Sequence, residues 1–207
     1  MNDQAQRTIT PIWRIPLPDF LTNNGSPRMA SDAFTAKYEA DVAKKWPSIM
    51  LEAENLLQDD SVPLRTRAGL PGLVLKTTGT SWAGGIIAVW DATTRDLIAW
   101  QDGGVPYVLP QFRGRGIGGE LCRITFEIGH KDRRSGVFFS AGGLASRKAA
   151  HREAVRDALL AGEIVPHEVL IDYPAFAAGD LKSPAGAARP DQVTQREEAS
   201  HELFPSS

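Results

Sequence analysis

The sequence predicts an α/β (α+β) protein with a mixed, largely antiparallel central sheet flanked by helices. Three observations predict it. Apolar residues recur at helical spacing before residue 58 and again after residue 144. Between them, short runs rich in β-branched and aromatic residues are typical of strands. The third is Val105–Leu121, which is typical of a strand that leads through a glycine-rich turn into a helix. The chain of 207 residues is long enough for one domain with a core.

The N-terminal segment is predicted to be extended. Thr8–Leu21 is rich in apolar residues, but Pro11, Pro16 and Pro18 interrupt it. Proline cannot donate to a strand ladder, so a central strand is disfavoured. We expect an atypical extended segment that docks on the core or forms an edge.

Two long helices are predicted around the strands. The first carries aromatic and apolar residues every four positions, typical of a buried helical face: Phe34, Tyr38, Val42 and Trp46. Pro47 is expected to end or kink this helix, after which an apolar face continues to Leu57. The second helix is Ala145–Leu160, with Ser146 as its predicted N-cap and Gly162 as its stop signal.

The strand-rich middle predicts an antiparallel meander. Its strands are Leu73–Thr77, Gly85–Trp90 and Asp96–Trp100, followed by the strand of Val105–Leu109. Gly136–Ser140, after the loop helix, predicts a further strand, and strand–helix–strand units in one sheet are usually parallel. Glu163–Tyr173 fits either a last strand or a short helix. The chain from Ala177 onward is dominated by small, proline and charged residues, so residues 1–176 are interpreted as one domain and 177–207 as a disordered tail.

Composition excludes several classes of function. A net charge of −2 gives no reason to expect nucleic acid or an anionic membrane as a partner. Four scattered histidines show no metal-ligand spacing, so no metal site is predicted. The single cysteine, Cys122, excludes an internal disulfide. With no signal peptide and no membrane-spanning segment visible, we expect a cytoplasmic protein, and a homodimer formed through strand or edge pairing stays open.

The glycine-rich turn is the stretch that points to a ligand. Gly114, Gly116, Gly118 and Gly119 let the backbone turn sharply and approach a bound group closely. A helix start leaves backbone N–H groups unpaired, and Arg113 and Arg115 add positive charge, so the turn suits phosphates. Gly114-x-Gly116-x-x-Gly119 also satisfies a dinucleotide fingerprint, although Pro110-Gln-Phe-Arg113 separates it from its strand. A turn with no ligand is the remaining alternative.

Gln111-x-x-Gly114-x-Gly116, extended to Arg113-Gly-Arg-Gly-Ile-Gly118, resembles the acyl-CoA pyrophosphate loop of the GNAT superfamily of N-acetyltransferases. Val108-Leu-Pro110 resembles the end of the splayed strand that leads into that loop, and the order of elements from about Ala33 to Leu160 is similar too. The resemblance implies a GNAT-like fold and an acyl-CoA-dependent N-acyltransferase. Its reaction would carry acetyl from acetyl-CoA to an amine by direct attack, the amine belonging to a small molecule or a protein.

The resemblance also implies which residues bind the co-substrate. Backbone groups of Val108 and Leu109 would align the pantetheine arm, and N–H groups from Arg113 to Gly118 would hold the pyrophosphate. The complete motif is Val108, Leu109, Gln111, Arg113, Gly114, Arg115, Gly116, Ile117 and Gly118.

The catalytic residues of the family have no direct counterparts. An Asn near the end of the next strand and a Tyr in the following helix, which often protonates the departing thiolate, are both missing from Phe138–His151. His151 lies on the helix where the family has its Tyr and titrates near neutral pH, so it is the first candidate for proton transfer. Ser140, at the predicted strand end, and Tyr173 are the other two. The missing pair leaves an alternative: a non-catalytic CoA-binding or interaction module of GNAT fold.

Overall fold

The computed structural model describes residues 10–22, 27–78, 85–102, 105–127 and 138–181. The helices are α1 (Leu17–Leu21), α2 (Asp32–Gln58), α3 (Ile117–Glu127), α4 (Ala141–Leu160), α5 (His167–Leu170) and α6 (Pro174–Ala177). The strands are β1 (Arg28–Met29), β2 (Leu73–Thr77), β3 (Ile87–Asp91), β4 (Leu97–Asp102), β5 (Val105–Val108) and β6 (Phe138–Phe139). Short 3₁₀ turns cover Ile12–Arg14 and Pro110–Phe112.

The predicted meander is confirmed as a four-stranded antiparallel sheet in the order β2-β3-β4-β5. Alternation along the strands gives the sheet two apolar faces. One face packs against α3, with Leu75 and Val89 in the same cluster as Leu121. The other face packs against α2 through Trp90 and Trp100. The sheet is thus flanked by helices, which confirms the predicted α/β (α+β) class.

Helices α3 and α4 approach each other closely where α3 begins. A Cβ at Gly118 would come within 2.6 Å of the Ser146 hydroxyl oxygen, and a Cβ at Gly119 within 3.4 Å of the Ser146 carbonyl oxygen. A side chain at Gly118 would therefore need the Ser146 side chain to move, whereas a Cβ at Gly119 would be in ordinary van der Waals contact. The contact fixes the start of α3 against the second turn of α4.

The prediction of an extended N-terminal segment is wrong for the residues described. Ile12–Arg14 forms a 3₁₀ turn and Leu17–Leu21 forms α1. The prolines precede or open these turns, where a missing N–H costs nothing because the first N–H groups of a helix have no internal partner. Phe20 is buried, and with Ile12 it packs against Phe126 of α3.

Helix α2 does not end at Pro47 but runs for 27 residues through it. Ser31 caps its start by accepting a hydrogen bond of 3.2 Å from the Phe34 N–H. Lys76 reaches its other end and donates to the carbonyl oxygens of Leu57 and Asp59. Packing of Ala53 and Leu56 in the cluster under the sheet holds the second half of the helix in place.

The strand predicted after the loop helix is present, but it lies outside the main sheet. β6 pairs in parallel with β1, in the register Arg28↔Phe138 and Met29↔Phe139. The prediction that this strand joins β5 in one sheet is therefore wrong, and the parallel partner of β6 is β1 in a separate two-stranded sheet. Its partner precedes α2 in sequence, and two residues, Arg28 and Met29, are too few to form a recognisable strand pattern.

Helix α4 begins at Ala141, one turn before the predicted start, because Ser140 rather than Ser146 is its N-cap. After it, the short-helix alternative for Glu163–Tyr173 is confirmed by α5. Leu181 packs against a cluster that contains Val169 and Phe176. The predicted tail beyond residue 181 lies outside the described residues, and the domain boundary stays a prediction.

Candidate functional site

The glycine-rich turn joins β5 to α3 in a conformation that only glycine adopts readily. Gly114 has a φ of +79° and Gly116 a φ of +80°, both in the left-handed region. A Cβ built at either position meets no atom within 4 Å, so the space above the turn is open. Ile117 is buried in the cluster beneath and anchors the turn to the core.

The backbone N–H groups of this turn are available to a ligand. The Arg113 N–H donates to the Pro110 carbonyl at 3.2 Å, and the Glu120 N–H donates to the Gly116 carbonyl at 3.1 Å. Between them, the N–H groups of residues 114–118 make no hydrogen bond to any described residue. They stand at the N-terminus of α3, where the helix carries partial positive charge.

Arg115 extends from the turn without a carboxylate in salt-bridge contact among the described residues. Its guanidinium carbon lies 5.5 Å from the centroid of the Phe112 ring. The pKa of Asp91 is lowered, first by the N–H groups of Thr94 and Thr93 and to a smaller degree by the charge of Arg115. Arg115 is therefore a cation that an incoming anion can reach.

Arg113 is held in place by three contacts. Its Nη1 lies 2.8 Å from a carboxylate oxygen of Glu39 on α2, and its Nε donates to the Val108 carbonyl at 3.1 Å. Its guanidinium carbon lies 5.6 Å from the centroid of the Tyr107 ring, which itself packs against Trp46 of α2. Arg113 thus connects the turn and β5 to α2.

The outer edge of β5 is open in the described structure. β5 ends the sheet, and the Leu109 N–H donates to the Ile98 carbonyl of β4 at 3.1 Å. Because backbone groups of successive residues alternate in direction along a strand, the N–H and C=O of Val108 point away from β4. The bond from Arg113 to the Val108 carbonyl agrees with this direction. An extended chain could pair with this edge.

The remaining motif residues have supporting positions. Gln111 is exposed in the 3₁₀ turn that links β5 to the glycines, and Leu109 is half-buried. Gly118 contacts Ser146 of α4. All nine predicted co-substrate residues lie between Val108 and Gly118, and the backbone donors of residues 114–118 stand open within this stretch.

His151 is fully buried in the middle of α4, with an exposed fraction of 0 %. Its Nε2 lies 2.6 Å from the Ile15 carbonyl oxygen and its Nδ1 lies 2.7 Å from the Tyr173 hydroxyl. A carbonyl can only accept, so Nε2 carries the hydrogen and Nδ1 accepts from Tyr173. Burial lowers the pKa of His151, outweighing the raising effects of the Ile15 carbonyl and of Asp172.

Tyr173 completes this buried junction. Burial raises the pKa of its hydroxyl, and the charge of Asp172 adds to the rise. Its ring stacks between His151 and Phe176, at centroid distances of 5.6 and 5.4 Å. The structure thus brings His151 and Tyr173 into contact. Their hydrogen bonds hold α4 to the N-terminal segment at Ile15 and to the C-terminal segment at Tyr173.

Ser140, the third predicted catalytic residue, accepts a hydrogen bond of 3.1 Å from the Gly143 N–H and caps α4. All three side chains thus have structural partners, and their catalytic role stays a prediction. Sequence reasoning missed Glu39. The spacing of Glu39 could have indicated its position. It lies three and seven residues before Val42 and Trp46 and so shares their face of α2.

A recess in the described structure lies away from the turn. It has a volume of about 310 Å³ and lies between the end of α2 and the β3–β4 hairpin, and none of its lining residues belongs to the glycine-rich turn. Within the described ranges, no group of three or more His, Cys, Asp or Glu side chains is arranged to hold a metal ion. No described helix combines the length and apolar character needed to cross a membrane.

Comparison with known protein families, with curated proteins and with solved structures gives no match to this chain. Function therefore has to be inferred from the geometry of the turn and of the strand edge beside it.

Proposed function

We propose that the protein is an acyl-CoA-dependent N-acyltransferase that carries acetyl from acetyl-CoA to an amine. One observation supports it above all: the open turn at residues 114–118, whose N–H groups have no acceptor among the described residues, lies at the start of α3. Convergent backbone donors at a helix N-terminus are a recurrent way of holding phosphates. Arg115 adds a reachable positive charge for the pyrophosphate of CoA.

The edge of β5 supports the same proposal. The pantetheine arm of CoA contains amide groups in an extended chain, which can pair with an open strand edge as another strand would. The Val108 N–H points outward beside the turn, so one ligand can occupy the turn and the edge together. This continuity favours CoA over a dinucleotide, which has a second nucleoside in place of the amide-bearing arm.

Positioning would supply most of the catalysis. The amine nitrogen forms a bond to the acyl carbon, the carbon–sulfur bond breaks, and a proton lost by the amine ends on the thiol. Holding the thioester beside the amine is worth up to about 7–11 kcal/mol, whereas acid–base help adds about 10²–10⁴-fold. The reaction can therefore proceed with proton transfer through water, and His151 or Tyr173 could take part only after leaving their present partners.

A CoA-binding module without catalysis is the second candidate. The observation that favours it is that Ser140, His151 and Tyr173 each make a hydrogen bond that holds the fold together. In either case the proposed setting is the cytoplasm, with no nucleic acid or membrane as partner.

Titration calorimetry and a turnover assay separate these candidates. We expect wild-type protein to bind CoA and to release free thiol from acetyl-CoA with at least one amine of a panel that includes peptides and polyamines. Binding without turnover on every amine would favour the module, and no binding would remove both candidates. In a thermal-shift control, CoA should raise the melting temperature and NAD should not.

A further inference from the structure

We propose that Arg113 and Glu39 form a latch across the outer edge of β5, which the pantetheine arm of CoA must open in order to bind. This inference rests on the proposed function and concerns access to the same site. It assigns different roles to the two arginines of the turn. Arg115 attracts the anion, whereas the Arg113 guanidinium is hydrogen-bonded to the Val108 carbonyl, which the pantetheine arm needs as an acceptor.

The latch is defined by where the Arg113 guanidinium lies. Its Nε donates to the Val108 carbonyl at 3.1 Å, and this carbonyl is one of the outward-pointing groups of the β5 edge. A carbonyl that already accepts from Arg113 is less available to an amide N–H of an arriving extended chain. Pairing along the whole edge therefore requires this bond to be exchanged.

Glu39 keeps the guanidinium on the edge. Its carboxylate lies 2.8 Å from the Arg113 Nη1, and the two side chains are 45 % and 43 % exposed. The Tyr107 ring, at 5.6 Å, supports the guanidinium from the side of the sheet. Ion pairs this exposed are weak, so the latch can open at little cost.

The electrostatic consequence follows from the same contacts. Because Glu39 neutralises Arg113, the net positive charge offered to a phosphate at the turn comes from Arg115 and from the helix N-terminus. Removal of Glu39 should therefore have two separable effects. It loosens Arg113 from the edge, and it removes a negative charge from the neighbourhood of the anion.

The test compares Glu39→Ala with wild type by calorimetry at fixed ionic strength, using CoA and ADP as ligands. ADP has a diphosphate but no pantetheine arm, so it reports charge alone. We expect Glu39→Ala to bind CoA about two- to fivefold more tightly, the size of effect that an exposed ion pair allows. Affinity for ADP should change by less than half that factor. Glu52→Ala, an exposed position on the same helix, is the matched control and should change neither affinity.

Each outcome decides the proposal. Unchanged or weaker CoA binding by Glu39→Ala overturns the latch, and so does an equal gain for CoA and ADP, which would show a charge effect alone. If neither protein binds CoA, both the latch and the proposed function fail. Arg113→Ala gives an independent check, since it should bind CoA at least as tightly as wild type does.

Discussion

The turn at residues 114–118 and the junction around His151 both carry polar groups, but they satisfy them in opposite ways. At the turn, backbone donors stand in open space and have no partner in the part of the chain that the structure describes. At the junction, both ring nitrogens of His151 are hydrogen-bonded within the fold, and the ring is fully buried. An exposed group of convergent donors can meet a ligand without disturbing the protein, whereas the junction must lose structural bonds first. The type of residue alone therefore does not identify a site.

The largest expected effect is on the junction. His151→Ala removes a buried ring and two hydrogen bonds, leaves the Tyr173 hydroxyl unpaired, and creates a cavity. We expect it to lower the free energy of unfolding by about 3 kcal/mol, measured by urea denaturation. Tyr173→Phe, which loses only the hydroxyl, should cost about 1 kcal/mol. A stable His151→Ala protein that lost turnover would instead show that His151 acts in catalysis.

The next effect concerns the turn. Gly116→Val puts a branched side chain into the open space at a φ of +80°, and we expect about a tenfold or greater loss of CoA affinity by calorimetry. Gly162→Val is the matched control. Gly162 has a φ of +76° and equally open surroundings after α4, so its backbone strain is similar. Equal loss of affinity in both variants would mean that strain, and not occupation of the turn, had weakened binding.

The pH dependence of stability separates the two regions further. The pKa of His151 lies below its ordinary value of 6.5 in the folded protein because burial disfavours the charged ring. Between the folded pKa and pH 6.5, His151 is protonated in the unfolded chain and neutral in the folded protein. The contribution of the neutral His151 to the free energy of unfolding is therefore complete above about pH 6.5. It is lost as the pH falls from there through the folded pKa. For one such group the slope cannot exceed about 1.4 kcal/mol per pH unit.

Urea denaturation at a series of pH values measures this slope. His151→Gln should remove it, leaving only the part due to carboxylates. His167→Gln, at an exposed histidine, should keep the wild-type slope. A slope that survived in His151→Gln would place the responsible group elsewhere.

The smallest expected effect is electrostatic. Arg115→Ala should weaken CoA binding about three- to fivefold and reduce its dependence on salt, because one reachable charge near the pyrophosphate is lost. Arg65→Ala removes an exposed arginine at the isolated bridge to β2 and should leave CoA affinity unchanged. If both variants weaken binding alike, the turn attracts anions only through the charge of the whole surface.

Local sequence patterns predicted the strands of the meander and the glycine turn, because their conformations depend on residues that are close in sequence. The strands of the meander either alternate apolar and polar side chains or are apolar on both faces. The turn has glycine where φ is positive. The meander and the turn were therefore both predictable. The pairing of β1 with β6 joins residues about 110 positions apart, and Arg28 and Met29 carry no strand pattern of their own. The prolines before α1 were misread because proline disfavours a strand interior but suits a first helical turn.

The burial of His151 was equally hard to predict. The buried face of α4 carries Arg147 and the small side chains of Ala150, Ala154 and Ala158, so the apolar stripe that marks this face is weak. The contact with Ile15 also spans most of the described chain. The nine residues of the motif all lie within Val108–Gly118, so their proximity was predictable, and their role in binding stays a prediction. Glu39 approaches Arg113 only through the tertiary packing of α2.

The crossing of α3 and α4 affects how any mutational scan of the turn must be interpreted. A side chain at Gly118 would press against the Ser146 side chain of α4, so intolerance at that position would report strained packing between the two helices. Gly114 and Gly116 border empty space, and intolerance there would report lost ligand once backbone strain has been subtracted. Two glycines only two residues apart could therefore look equally invariant among related chains for unrelated reasons, and only a measure of the folded fraction beside activity would tell them apart.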